Sequence, residues 1–539
     1  MGFAPPEAYR EGSPYPYFGS ENPWDLRFFT EHIENLPQRR GQRQMLDIVR
    51  GRPREAVSYA ERLLLVDPGD LESLFNLAVA RAQLGQTDSA VDAMRRALDG
   101  GMPIERFVAG PRDILKPLLN SESFKEEVGR RSVSLLHGPM LGSVSTDSAQ
   151  FWVRTAREAD VRIAVLPGPR FGSARTSAAK DYTAVAEVTG LEPDTAYEYT
   201  VTVGGVVADG PRSHTLRTYP EAGSAARFSV AFGGGAGYVP ENERMWDVIA
   251  GRSPLAFLFL GDNVYLDLPE MPNALHRYTY YRRQSRPEFR RLTASTSIYA
   301  IWDDHDSATD DVWLGPFTDS PPWKLPLFRL FQENWNNPPH GSDSHPGGWF
   351  SFVIADVEFF MLDCRFYRTN PYAEPRTMLG PEQKRWLFKN LQRSSSTFKV
   401  VASSVPWAFE SKGDALDTWN GFRDERTAIF DYLAANEVGG VVLISADRHR
   451  SEAWRIPRPN GYALYEFESS RLTNDAVHDL VPGTLFGYNE KQSFGLLTFD
   501  MAKSDPTVTF RIVSIDDEVR GEITLKRSDL AHDGEKPEA

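Results

Sequence analysis

At 539 residues the chain exceeds one ordinary core, so several domains are expected, and its 41% apolar and 12% aromatic content leaves little case for global disorder. A formal charge of −14 argues against a nucleic-acid surface, which needs clustered Lys and Arg, and means that an anionic substrate requires a local positive centre such as a bound cation. The single cysteine, Cys364, excludes an intrachain disulfide framework and a cysteine-rich zinc site.

Residues 1–40 are rich in Pro, Tyr and charge without periodicity and read as an arm lying over another part of the molecule. No charged-then-apolar leader is visible, and no run nears the roughly 18 apolar residues of a membrane span. Residues 41–130 take a helical pattern in which Gly51, Ala56 and Val57 recur as Gly85, Ala90 and Val91. That shift of 34 is the tetratricopeptide period. Pro68 closes one repeat and Asp70 caps the next helix. So short an array is expected to pack against its neighbour, with a groove for a protein partner as the second reading.

From 133 to 219 short alternating runs at 149–154, 161–165 and 197–201, separated by turn residues, indicate a β-sandwich. Beyond 225 apolar strands alternate with helical stretches, at 228–232, 255–260, 297–302, 357–362, 399–402 and 441–444. This texture predicts an α/β domain over 225–525 whose ligands gather at the carboxyl ends of strands, followed by a tail at 526–539.

Three of those strand ends carry chemistry. The first presents Gly261, Asp262 and, three residues on, Tyr265; the second presents Asp303, Asp304, His305 and Asp306; the third presents Asp447, Arg448 and His449. Taken singly, each Asp reads first as a helix cap, each Tyr as packing and His449 as a satisfied histidine. Taken together, the same strand-then-carboxylate pattern occurs three times, and two of only ten histidines fall within it. Carboxylates crowded at 303–306 repel unless a cation compensates them, which points to metal.

These motifs, Gly-Asp-x-x-Tyr, Asp-Asp-His-Asp and Ser-Ala-Asp-Arg-His in that order, resemble the PhoD-like branch of the calcineurin-like metallophosphoesterases. Further matches lie around Asp363 to Arg368, Met378 to Gln383 and Asp417 to Phe422. The stretch 190–197, ending in Tyr197, resembles the corner of a fibronectin type III domain, in which a tyrosine hydroxyl anchors the preceding loop. Such modules precede the catalytic domain in PhoD-like and purple acid phosphatases.

The resemblance implies an α/β four-layer catalytic domain that hydrolyses phosphate esters, small or polymeric, by in-line attack of a hydroxide held at a dinuclear metal centre, with phosphodiesters slightly preferred. It makes Asp262 the bridging carboxylate, places Tyr265 and His449 on the first metal, and puts Asp304 and Asp447 on the second. His305 then faces the leaving group as the proton donor. Two cations about 3.5–4 Å apart would lower the pKa of a bridging water and stabilise the oxygens of the displacement. The implied pair is Fe(III) with Ca(II), or Mn, Mg or Zn in their place. Arg448 and Asn336 are read as substrate contacts, and a periplasmic or extracellular location is the family expectation.

Two departures stand out. Gly235 occupies the place of a family cysteine that binds the first metal, and Ala308, Thr309, Asp310 and Asp311 replace a common Gly-Pro-Asn-Asp. The alternatives are a sulfate-ester hydrolase using the same centre, and a catalytically degenerate protein that binds a partner.

Overall fold

The computed structural model describes residues 40–131, 133–168, 170–208, 214–342 and 344–532. Apart from Arg40, the arm expected over 1–40 lies outside the described residues, as do residues 533–539 of the tail.

Helices Gln42–Val49, Pro53–Val66, Leu71–Gln83 and Thr87–Asp99 form two successive pairs. The 34-residue shift is visible in the backbone: Gly51 and Gly85 share the same turn geometry, with φ of 75° and 74°, and Ala56 and Ala90 behind them are fully buried. Asp70 takes the N-cap position of Leu71–Gln83, although its carboxylate accepts from Ser73 Oγ at 2.5 Å rather than from a backbone N–H. This array packs against its neighbour. Its core takes in Leu268, Leu275 and Tyr278 from beyond the sandwich, and Gln42 Nε2 donates to the Tyr265 carbonyl at 2.5 Å.

Next come two antiparallel sheets. One is ordered Leu135–Gly142, Ser148–Thr155, Thr183–Thr189; the other runs Arg170–Arg175, Asp160–Leu166, Ala196–Val203, Val206–Val207, with His214–Arg217 also on Ala196–Val203. Alternate residues of the strands, among them Phe151, Val153, Ile163, Val165, Tyr199 and Val201, share one core. Tyr197 accepts the Glu192 N–H at 2.8 Å through its hydroxyl, the loop-anchoring contact expected of that corner.

The last unit is built on two mixed sheets. The first is ordered Ser297–Ile301, Ala256–Leu260, Arg227–Gly233, Ser493–Asp500, Thr507–Ser514, Val519–Lys526. The second is ordered Phe350–Ile354, Val357–Met361, Phe398–Ala402, Val441–Ser445, Leu464–Ser469, Ser451–Ile456, Phe486–Tyr488. Leu258 and Leu260 point into the core shared by the sheets, whereas Phe257 and Phe259 pack with Trp246 and Phe289. Both faces are buried, which is why these strands read as unbroken apolar runs. Helices Gly380–Arg393 and Arg423–Ala435 connect parallel strands of the second sheet and bury Leu387, Leu391, Ile429 and Leu433 in the shared core. Phe467 of one sheet stacks on Phe510 of the other at 4.3 Å, and an isolated bridge from Gly234 to Ser470 joins the sheets next to the strand ends that matter. Among the described residues no helix is long and apolar enough to cross a membrane.

Candidate metal centre

Ala256–Leu260 and Ser297–Ile301 run parallel in register, Leu260 opposite Ile301, so their loops emerge side by side. Gly261 takes φ of 105°, and a Cβ there would sit 2.5 Å from Asp303 Cβ; the first loop crosses the second so closely that only glycine fits. Asp262 follows with φ of 53°, and Asp447 and His449 take φ of 81° and 35° at the end of Val441–Ser445 in the other sheet. Three non-glycine residues in the left-handed region at one site mark a backbone held against its preference by its surroundings.

The result is a buried cluster. Tyr265 Oη donates to Asp262 Oδ2 at 3.2 Å and lies 3.2 Å from His449 Nε2. Ligand atoms of Asp262, Asp304 and His305 fall within 4.8 Å of one another, as do those of Asp304, Asp311 and Asp417. Asp447 joins through Lys412, whose Nζ is 3.4 Å from Asp447, 2.8 Å from Asp311 and 3.2 Å from Asp417. His305 donates from Nδ1 to Asp267 Oδ1 at 2.5 Å, while its Nε2 faces Asp310 Oδ1 at 3.5 Å. The backbone N–H of Leu266 donates to the His305 carbonyl at 2.9 Å, tying the two loops a second time.

Burial drives the Asp262 carboxyl well above its usual range, only partly opposed by the His305 charge and reinforced by Asp304, Asp303 and Asp306. Burial also pushes Asp304 up, but the Arg365, His305 and Lys412 charges outweigh it and hold that carboxyl low. Burial and then the His478, His305, Arg448 and Lys412 charges hold His449 far below the usual imidazole value, as a neutral ring. His305 is the opposite: against the cost of burial, Asp267, Asp262 and Asp304 keep it protonated.

The residues present fit a cation. Asp262 Oδ1, Asp447 Oδ2 and His449 Nδ1 are buried with no hydrogen-bond partner, and carboxylates beside a neutral imidazole and a phenol make a donor set for hard or borderline ions. A thiolate at position 235 would have no room. Gly235 takes φ of 65°, and a Cβ there would lie 2.8 Å from Arg471 N and 2.9 Å from Ser470 Oγ. Instead Asn474, whose N–H donates to the Gly235 carbonyl at 3.2 Å, aims its amide at Tyr265 and His449.

Two expectations need correction. Asn336 is not at the cluster: its amide donates to the carbonyls of Met140 at 2.9 Å and Gln150 at 3.0 Å, clamping the first sheet of the sandwich to the last unit. Nor do all the carboxylates at 303–306 await a metal. Asp303 is gripped by Arg365 at 2.5 and 3.1 Å, and Asp306 accepts the N–H groups of Asn263, Val264 and Asp303, so a guanidinium and backbone donors supply the compensation. Only Asp304 of the three turns to the cluster. Arg448 sits beside it with a buried Nε that has no hydrogen-bond partner.

Asp267, Arg365, Lys412, Asp417, Asn474 and His478 were not singled out from the sequence as parts of this site. Asp267 carried a signal, lying five residues after Asp262 on the same loop, and Arg365 and Asp417 lay within the further motif matches without a role assigned to them.

Mixed sheets that share a core, with carboxylates, a phenol and imidazoles converging where their strands end, make up a multi-domain α/β fold of the phosphoesterase kind. Residues 230–492 match the PhoD-like phosphatase family. Residues 132–220 match a domain of unknown function, DUF7800. Alkaline phosphatase D of Bacillus subtilis (strain 168) is 23% identical over 333 residues, which span 53% of this chain and 55% of that relative. A structure of PhoD superposes with a TM-score of 0.59 at 18% identity, covering 73% of this chain and 90% of that one. The purple acid phosphatase PPD1 of yellow lupin (Lupinus luteus) gives 0.55 at 12% identity, covering 75% and 78%. These two structural likenesses speak to the fold.

Proposed function

We propose that residues 225–525 hydrolyse phosphate esters, with Asp262 bridging two metal ions, Tyr265 and His449 on the first, and Asp304 and Asp447 on the second. The observation that carries this reading is the convergence of Asp262, Tyr265, Asp304 and His449 from strand ends of two different sheets, with Asp262 Oδ1 buried and without a hydrogen-bond partner. Two bound cations would neutralise the carboxylates and generate a nucleophile at neutral pH by lowering the pKa of water. Iron with calcium is the pair suggested by the phenol and the carboxylates.

The chain's own side chains do the rest. His305, oriented by Asp267, holds a proton at Nε2 for the departing alkoxide. Arg448 offers a guanidinium to a phosphate oxygen. Lys412 holds Asp447, Asp311 and Asp417 in one arrangement before substrate arrives. The preference for diesters rests on the family resemblance.

The test is hydrolysis of matched chromogenic phosphomonoester, phosphodiester and sulfate-ester substrates by metal-supplemented protein, with Asp262→Asn as control. Turnover of a phosphate ester that the variant loses is the expected result. Turnover of the sulfate ester alone, or none with any metal, refutes the reading.

A further inference from the structure

The helical array touches the loop of the metal cluster through a buried side chain. Gln42 opens the first array helix and directs both N–H groups of its amide across the boundary: Nε2 donates to the Tyr265 carbonyl at 2.5 Å and to Thr279 Oγ1 at 3.2 Å. Thr279 is left as an acceptor because its own hydroxyl proton goes to the Leu275 carbonyl at 3.0 Å. A carbonyl and a committed hydroxyl oxygen both require a donor, which fixes the orientation of the amide. Gln42 Oε1, turned away from them, is buried with no hydrogen-bond partner among the described residues, so the polar side chain is explained by what its N–H groups hold.

The anchor is itself tied down. Asn76 Nδ2 donates to the Gly41 carbonyl and to Tyr278 Oη, each at 3.2 Å; Tyr278 donates to Glu72, and the Arg106 guanidinium lies 4.5 Å from the centre of the Tyr278 ring. The ligand loop is held on its other side by the Leu266 N–H, which donates to the His305 carbonyl at 2.9 Å, and further along by Glu270, 2.6 Å from Arg50 of the array. Tyr265 thus sits between two clamps, one from the loop that carries Asp304 and His305 and one from a helix 223 residues earlier in the chain.

We propose that Gln42 is a positioning residue for the metal centre: by fixing the Tyr265 peptide it sets where the phenol meets the first metal, which makes the helical array a working part of that centre. This rests on the reading of Tyr265 as a metal ligand. Ligating groups must be held to within about 0.5 Å and 10–20° of their working geometry. The phenol oxygen lies at the far end of a long side chain, so a small tilt of the backbone is magnified there. Asn474 holds the oxygen at 2.7 Å, and Gln42 holds the backbone from which the ring projects.

The experiment titrates the full-length protein with ferric iron in a weak chelating buffer and follows the tyrosinate-to-metal absorption band together with bound iron. Gln42→Met keeps the length of the side chain and removes both donors; it is expected to weaken iron binding about tenfold and to shift or diminish the band. Gln44→Met is the control. Gln44 is buried on the same helix and donates to Ser73 Oγ at 3.2 Å inside the array, so its loss costs the array a hydrogen bond without touching the ligand loop, and iron should bind as in wild type. Gln42→Asn, which keeps the amide but draws it back by one methylene, should follow the methionine variant, and it carries the test if that variant does not fold. Wild-type affinity and band in the Gln42 variants overturn the proposal. Equal losses in Gln42→Met and Gln44→Met also overturn it, because the array would then act through general stability. Iron bound by wild type without a tyrosinate band removes Tyr265 from the ligand set and the proposal with it. The contrast between the Gln42 and Gln44 variants supports the proposal even where no phosphate ester is turned over, a result that refutes the phosphoester reading instead.

Discussion

Asn474 donates its side-chain amide to the hydroxyl of Tyr265 at 2.7 Å, across 209 residues of chain. The orientation of that amide is determined by its other end, since Asn474 Oδ1 accepts the Ala476 N–H at 3.0 Å and leaves only Nδ2 to face the cluster. An N–H donor does not ligate a cation, so Asn474 serves by holding the Tyr265 oxygen in place. Asn474→Leu is expected to lower metal content at the first site and reduce kcat/KM by about 10–100-fold, the usual cost of losing a group that orients a ligand. Metal analysis and any tyrosinate-to-metal absorption band check it directly.

Restoring a thiol at the place of Gly235 should not restore a ligand. The left-handed backbone and the 2.8 Å approach to Arg471 N leave no site for a Cβ, so Gly235→Cys is expected to destabilise the fold by at least about 2 kcal/mol. Thermal unfolding with and without metal tests this; a variant stabilised by metal beyond wild type would contradict it.

Asp267→Asn should slow reactions in proportion to their need for a proton. With its Nδ1 partner weakened, His305 protonates a poor leaving group less well, and a loss of about 100-fold is expected on an alkyl ester. A nitrophenyl ester, whose leaving group needs no acid, should change by less than about tenfold. Equal losses on both would mean that Asp267 acts on something other than His305.

Arg365 is fully buried between Asp303 and Asp417, 2.5 and 2.8 Å from them, and 3.7 Å from Asp304. Arg365→Met strands those carboxylates and should cost about 3–5 kcal/mol of stability, measured by denaturant unfolding. Lysine should rescue little, because it cannot reproduce the fork that grips both groups.

His276 supplies a pH dependence away from the cluster. Its Nδ1 accepts the Asn273 N–H at 3.1 Å and its Nε2–H donates to the Leu268 carbonyl at 2.9 Å, so the ring fits only when neutral, and burial lowers its pKa to about 4. Between the ordinary value of 6.5 and about 4 the unfolded chain binds a proton that the folded one does not. Stability therefore falls as pH drops through that window and levels off below it, by roughly 3 kcal/mol in all. His276→Gln keeps the capping geometry without a titrating group and should lose less melting temperature than wild type between pH 7 and pH 4.5.

The order of elements and the chemical motifs were legible from local pattern. Buried strands read as apolar runs, and a carboxylate at the end of such a run is conspicuous, so Asp262, Asp304, His305, Asp447 and His449 stood out together. The turn geometry shared by Gly51 and Gly85 was likewise legible as a period.

What local pattern could not decide is which polar group meets which across the fold. Asp303 and Asp304 are neighbours in sequence, yet one is neutralised by Arg365, 62 residues away, and the other faces the cluster. Asn336 sits in a stretch that reads as a cleft lining, but the approach of the sandwich converts it into a clamp on Met140 and Gln150. Asn474 and Lys412 lie in segments with no periodicity or motif to mark them, and they reach the site only because two sheets meet at Gly234 and Ser470. Strand identity follows from the chain's own local pattern, alternating in the sandwich and unbroken apolar runs in the last unit, whereas the partner of a buried charge depends on distances that exist only after the layers have packed.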